Sequence, residues 1–353
     1  MLHDLIDRLR RRRNRHALPA TFSAGYAFVG AGRHARQNLY PIVDYLRLPL
    51  RYVCCATADS ARAVQAWRPD VHATCRLEDV LADPAVRAVF VAAPAAEQPD
   101  LASRILASGR ALFVEKPPCR DGSRLADLVA TARRHGVTAA VAGLQHRCAP
   151  DVQRLACALR RDAAASYNLT YRTGPYPEGD VLTELFIHPL DLAVHLFGPA
   201  RVEGFQDVAR APRGGTTLHL LLRHGRTCGS VTLSTAGAWD EMEETLRVDT
   251  TAGRYVLRPG EDLSFRRWPG RPLGLPAEKL RRAAGVEERC WKRQGALPEL
   301  CQNELYVNGF YDEIRRFAEM VEGRAFRHPA ALAALTDTYA LLDALRPRCE
   351  GRG

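Results

Sequence analysis

Two short stretches hold most of the residues that could do acid–base chemistry. In ALFVEKPPC, residues 111–119, an apolar run ends in Glu115 and Lys116 and is closed by Pro117 and Pro118. The chain has 50 Lys and Arg residues, of which Lys116, Lys279 and Lys292 are the three lysines. Arg is permanently charged, whereas a Lys amine can release its proton where the site lowers its pKa. A chain that uses Arg almost everywhere has a reason to keep Lys where an oxygen must be polarised, and prolines behind it would lock its orientation. The plainer reading is a drift toward Arg that missed three positions. The second stretch is TELFIHPLDLAVHLFG, residues 183–198. In a helix, Glu184, His188, Asp191 and His195 fall at i, i+4, i+7 and i+11, near one face. Such a stripe is costly as plain core. It could serve acid–base chemistry or bind a metal, although hydrogen-bonded structural histidines are the commoner case. His195 is expected to be structural, and no metal site is expected.

Residues of this kind need strand ends and helices to hold them. From Gly25 to Gly143, short apolar runs (YAFVG, RYVCCAT, RAVFVAAP, ALFVEK, VTAAVAG) alternate with helical periodicity near 33–45, 100–108 and 123–135. That pattern predicts a parallel sheet covered on both faces, with ligands at the carboxyl ends of its strands. The first strand-to-helix turn, VGAGRHA, fits G-x-G-x-x-[GA] at Gly30, Gly32 and Ala35, with Arg33 and His34 between. The first glycine allows the tight turn, the second allows close approach of a pyrophosphate, and the small third residue allows helix–strand packing. An NAD-preferring site would place an acid at the end of the second strand. Thr57 stands there, with Asp59 two residues on. A missing acid removes repulsion against a 2′-phosphate, and Arg33 could pair with it. NADP(H) is therefore favoured over NAD(H), unless Asp59 turns inward rather than capping the following helix.

The second half predicts strands at 166–172, 201–208, 216–222, 227–235, 245–250, 254–257 and 263–267. Closing helices are expected at 303–322 and 330–345, and the long basic segment 269–298 reads as a lid or a disordered insertion. At 353 residues the chain has room for two domains. A net charge of +10 raises the question of nucleic acid. The basic residues are scattered, however, and carry no nucleic-acid-binding motif, so a cationic surface suits an anionic cofactor or substrate instead. Ten cysteines without a CxxC pair suit a reducing compartment. The first 23 residues read as a basic arm without a signal-peptide core, and no run approaches a membrane span. A cytoplasmic protein with no nucleic-acid or membrane partner is expected.

Together, VGAGRHA, the strand ending Ala92–Ala93–Pro94, VEKPP, GLQHRCAP (residues 143–150) and TELFIHPLDLAVHLFG resemble the Gfo/Idh/MocA oxidoreductases over residues 26–346. The resemblance implies an α/β fold. An N-terminal Rossmann domain, a doubly wound parallel sheet at 24–148, precedes a C-terminal α+β domain at 149–346. The second domain would carry an open, mainly antiparallel sheet, with its last helices packing back on the first domain. It implies Lys116, His188 and Glu184 as catalytic residues, Glu184 standing where an aspartate is usual. Asp191 matches the acid three residues after the family histidine. Gly30, Gly32, Arg33, His34, Ala35, Thr57, Ala93, Pro94, Glu115 and Lys116 would contact the cofactor, Glu115 as a ribose or scaffold contact. Arg147, Tyr171, Arg172 and Asp191 would contact the substrate, with Gln145 and Tyr176 nearby; a domain-linking salt bridge is the other reading of Arg147. Gln98 stands where the family has a histidine. The implied activity is hydride transfer between a nicotinamide and a secondary alcohol or ketone of a sugar-like or cyclitol-like molecule. Alternatives are imine reduction and a cofactor-binding sensor without turnover. Self-association as a homodimer or homotetramer through the second sheet is also implied.

Overall fold

The computed structural model describes residues 3–9, 21–208, 215–280, 286–293 and 303–350. The apolar runs of the first half form one sheet: β1 (Gly25–Val29), β2 (Leu50–Cys54), β3 (His72–Thr74), β4 (Val86–Val91), β5 (Ala111–Glu115) and β6 (Ala140–Gly143). Their order is β3-β2-β1-β4-β5-β6 and every pair is parallel. Burial on both faces explains why these strands read as continuous apolar runs rather than as alternation. Phe28 of β1, for example, lies 4.2 Å from the Tyr40 ring and 4.8 Å from the Phe90 ring. The covering helices are α1 (Tyr40–Tyr45), entered through a π-helical turn at Ala35–Leu39, α2 (Ala58–Trp67), α3 (Leu77–Ala82), α4 (Gln98–Ala107) and α5 (Gly122–Arg134). The three-residue β3 and the short α3 carry too little periodicity to be read from sequence.

Helix α6 (Pro150–Leu159) leads into the second sheet, built of β7 (Ala164–Arg172), β8 (Arg201–Asp207), β9 (Thr217–His224), β10 (Thr227–Ser234), β11 (Glu243–Thr250), β12 (Gly253–Arg258), β13 (Asp262–Arg267) and β14 (Arg289–Lys292). The order is β14-β13-β12-β11-β7-β10-β9-β8, antiparallel except for β7 with β10. Alternation is strict in β9: Leu218, Leu220 and Leu222 are buried, while His219, Leu221 and Arg223 face outward. Helix α7 (Ile187–Phe197) covers the inner face, with Phe197 stacked on Tyr167 at 4.3 Å. The segment 269–298, expected as a lid or insertion, instead contributes β14, which extends the sheet through Asp262–Arg267. Residues 281–285 and 294–298 of that segment lie outside the described residues.

The closing segment is interrupted where one helix was expected at 303–322. A turn of helix at Glu304–Val307 stops before α8 (Phe310–Val321). Gly309 sits between them at φ +93°, and a Cβ there would lie 2.1 Å from the Gln145 carbonyl oxygen. Only glycine permits both the left-handed conformation and that approach. Helix α9 (Thr336–Glu350) ends the described chain. This segment binds back onto the first domain: Ala142 N–H donates to the Ala330 carbonyl (2.9 Å), Tyr339 Oη to the Cys119 carbonyl (2.9 Å) and Gly122 N–H to Asp343 (3.0 Å). At the domain's start, Ser23 and Ala24 N–H groups donate to one Glu322 oxygen, at 2.6 and 2.8 Å. Residues 3–9 of the arm are helical with Leu5 and Leu9 exposed, and residues 10–20 lie outside the described residues. Among the described residues no helix is long and apolar enough to cross a membrane.

Candidate active site

Strands β1 and β4 are neighbours although the chain leaves β1 toward β2, so the sheet has its switch point between them. A crevice opens at such a point. Here it is a cavity of about 760 Å³ lined by Gly30, Gly32, Arg33, Ala93, Pro94 and Ser60, among others. The two glycines are required for different reasons. Gly30 has φ +100°, and a Cβ on it would strike the Ala92 carbonyl oxygen at 2.2 Å. A Cβ on Gly32 would meet no protein atom within 4 Å, so what Gly32 leaves open is room for a ligand. Ala35 is buried, as close helix–sheet packing requires. This lining fits a dinucleotide, with its pyrophosphate over Gly32 at the start of the helical segment.

Thr57 caps α2, its hydroxyl accepting the Ser60 N–H at 3.2 Å. Asp59 does not turn inward. Its side chain is 84% exposed and paired with Arg62. Arg33 and Arg36 both line the crevice, together with Arg104, Glu78 and Glu97. His34 reaches the other way, with Nε2 3.3 Å from a Glu115 oxygen, and that carboxylate raises the imidazole pKa. Glu115 in turn explains Gly143 on the neighbouring strand, where a Cβ would lie 2.8 Å from the carboxylate.

Lys116 follows at the carboxyl edge of β5, and the Lys116–Pro117 peptide is cis. Buried Gln98 donates to the Pro117 carbonyl at 3.2 Å, fixing the turn from behind. The Lys116 amine crosses to the second domain and donates to the Glu184 carbonyl oxygen at 2.7 Å. Burial lowers its pKa, opposed by the charges of Glu115 and Glu184. His188 lies in the first turn of α7. Residues 185–187 and 189–194 are all buried, whereas His188 keeps partial exposure. Burial, followed by the charges of Lys116, His146 and His34, holds its imidazole well below the ordinary value. Lys116 and His188, from different domains, therefore meet beside the dinucleotide crevice.

The single stripe expected from Glu184 to His195 is not formed. Glu184 belongs to a separate π-helical turn, Val181–Leu185, which Asp180 caps and which breaks at Phe186 before α7 begins. Its carboxylate accepts from Tyr176 Oη and Asp180 N–H, both at 3.1 Å, so only its backbone carbonyl reaches Lys116. Arg147 and Asp191, expected at the substrate, are bound to each other instead. Arg147 Nε and Nη2 donate to the two Asp191 oxygens at 2.8 and 2.6 Å. The side chains are 3% and 2% exposed, and Thr338 and the Pro329 carbonyl complete the set. This is the domain-linking salt bridge, and it leaves no oxygen free for a ligand. Tyr171 and Arg172 cannot both line one pocket, because successive strand residues face opposite ways. Tyr171 is buried toward Phe186, while Arg172 is exposed on the outer face. His195 is pushed down to about 4 by burial and by Arg147, and remains neutral in the core.

Two residues at the site were not singled out from the sequence. His146, in the turn after β6, has its ring 5.6 Å from the His188 ring. Its Nδ1 lies 3.7 Å from an oxygen of Glu244 on β11. His146 sits inside GLQHRCAP, so proximity to a motif was its one signal. Glu244 had none, since only the pairing of β11 with β7, which sets Glu244 opposite Tyr171, carries it inward.

A switch-point crevice shaped for a dinucleotide, with an amine of the first domain and an imidazole of the second converging beside it, defines a two-domain dinucleotide-binding protein. The family model described as "Oxidoreductase family, NAD-binding Rossmann fold" (GFO_IDH_MocA) matches residues 24–143. That match covers the first domain alone. An uncharacterized oxidoreductase of Bacillus subtilis, YrbE, is 24% identical over 184 residues, 48% of this chain and 52% of that protein. The match thus spans about half the length of that curated relative. Solved structures share the whole fold. KijD10, a 3-ketoreductase from Actinomadura kijaniata in complex with NADP, has TM-score 0.70 and 17% identity, covering 92% of this chain and 97% of its own. GenD2 from gentamicin A biosynthesis, in complex with NAD, has TM-score 0.70 and 23% identity, covering 95% of this chain and 98% of its own.

Proposed function

We propose that this protein is an NAD(P)-dependent oxidoreductase acting on a secondary alcohol or ketone of a sugar-like or cyclitol-like small molecule. The observation that carries this reading is the convergence of Lys116 and His188 beside the crevice that fits the dinucleotide. When bound, the nicotinamide supplies or accepts the hydride. Lys116, held on the Glu184 carbonyl, polarises the substrate oxygen. His188, neutral because it is desolvated among other cationic groups, takes the hydroxyl proton during oxidation and returns it during reduction. Glu115 and His34 hold the wall on which Lys116 stands. NADP(H) is the favoured cofactor, supported by the absent acid at Thr57, the outward Asp59 and the presence of Arg33 and Arg36 in the crevice lining. Self-association through the outer face of the second sheet belongs to the same reading, and sizing by light scattering tests it.

The main experiment follows cofactor absorbance at 340 nm with a panel of cyclitols, sugars and their keto derivatives, using the protein and its Lys116→Met variant. Turnover by the wild type and its loss in the variant support the reading. NADPH binding without turnover on any member of the panel would favour a cofactor-binding sensor.

A further inference from the structure

His146 and Glu244 lie beside His188, and the reaction as outlined gives them no task. Their side chains are 13% and 7% exposed. The facing atoms, Nδ1 of His146 and Oε1 of Glu244, have no hydrogen-bond partner, and the 3.7 Å between them exceeds a direct hydrogen bond. Buried polar groups are almost always paired. The neighbouring carboxylate makes the contrast: Asp151 is satisfied, accepting from Val152 N–H at 2.7 Å and Gly260 N–H at 2.8 Å. Burial raises the Glu244 carboxyl pKa, with His146 opposing and Asp151 adding to the rise. Register places Glu244 on the inner face beside Tyr171, and the His146 ring rests near His188, so the pair adjoins the proposed proton acceptor.

We propose that His146 and Glu244 grip a hydroxyl or amino group on the carbon next to the one that is oxidised or reduced. One atom between them would accept from the imidazole N–H and donate to the carboxylate, satisfying both bare groups. A substrate without that donor would leave them unpaired, and an anionic substituent there would meet Glu244. This assignment rests on the oxidoreductase reading for which carbon reacts, but not for the existence of the gripping site. The residues facing it are His188 on one side and Tyr171 and Asp151 on the other.

The test uses the full chain with NADP+ and small defined probes: cyclohexanol, trans-1,2-cyclohexanediol, trans-2-aminocyclohexanol and trans-2-hydroxycyclohexanecarboxylate. A site built to hydrogen-bond a substrate group can reject an analogue lacking it by about 10⁴-fold or more. For such minimal probes the diol and amino alcohol should exceed cyclohexanol by at least about 10²-fold in kcat/KM. The carboxylate probe should be refused. Glu244→Leu should abolish the preference, and Glu244→Gln, which keeps shape and an acceptor, should retain part of it. NADPH binding by both variants reports their folding. Saturation-transfer NMR on the NADPH complex separates this proposal from the redox reading. If no probe turns over, a diol signal lost in Glu244→Leu still supports the grip while counting against oxidation of such alcohols. Equal rates for cyclohexanol and the diol, an undiminished preference in Glu244→Leu, or no diol signal in the wild-type complex would overturn it.

Discussion

The turn at 145–148 and helix α7 meet twice, and the two meetings are built on opposite principles. Arg147 and Asp191 form a pair in which every partner is supplied by the protein. One residue earlier on the turn and three earlier on the helix, the His146 and His188 rings lie 5.6 Å apart, and the His146 nitrogen turned toward Glu244 has no hydrogen-bond partner. The residue types and sequence neighbourhood are alike, yet only the satisfied pair fastens the domains together. Unsatisfied polarity, not polarity itself, separates chemistry from architecture at this interface.

The largest expected effect tests the architectural half. Removing one partner of a buried ion pair typically costs about 3–5 kcal/mol. Asp191→Ala should lower the melting temperature steeply, while His188→Asn should change stability by no more than about 1 kcal/mol. A stable, inactive Asp191→Ala would return Asp191 to the substrate. The chemical half predicts the reverse pattern. Lys116→Met and His188→Asn should each lower turnover by about 10²-fold or more and leave NADPH affinity within a few-fold. Their double variant should fall little further, because residues acting on one proton path are not additive. Retained turnover in both single variants would remove them from the chemistry.

Acid should divide the two halves as well. Because the His188 pKa is lowered, it stays an acceptor as pH falls, so the acid limb of alcohol oxidation should lie below the ordinary histidine value of about 6.5 and vanish in His188→Asn. His195 and His328 are both lowered to about 4. Unfolded chains would bind those protons first, so stability should decline as pH falls from about 6.5 toward 4, which denaturant titrations at each pH would show. The smallest effect concerns the cofactor. NADPH should bind at least as tightly as NADH by fluorescence titration. A tenfold preference for NADH, about 1.4 kcal/mol, would refute the reading of Thr57.

What could be read in advance follows the range of the interactions involved. The glycines at Gly30 and Gly32 and the strand end at Lys116 each announce themselves locally, through a turn or an apolar run, whereas His188 is singled out by its resemblance to the family motif. The extended stripe from Glu184 failed because Asp180 caps a separate turn, which helical spacing does not reveal. Arg147 looked like a ligand because its partner lies 44 residues away. Glu244 was invisible for the same reason, since cross-strand register is not encoded in any short window.

The backward-folding tail has a consequence for how the molecule comes into being. Glu322 anchors the backbone just before β1, Ala330 bonds the last strand of the first sheet, and Tyr339 and Asp343 seal the segment behind β5. A ribosome delivers those residues about 190 to 300 positions after the strands they secure, at roughly 5–20 residues per second. For on the order of ten seconds or more the nascent dinucleotide domain would stand with its seams open, and chaperones would meet it in that state. Gene fragments ending before α8 should therefore yield a poorly soluble half-protein rather than an autonomous cofactor-binding module.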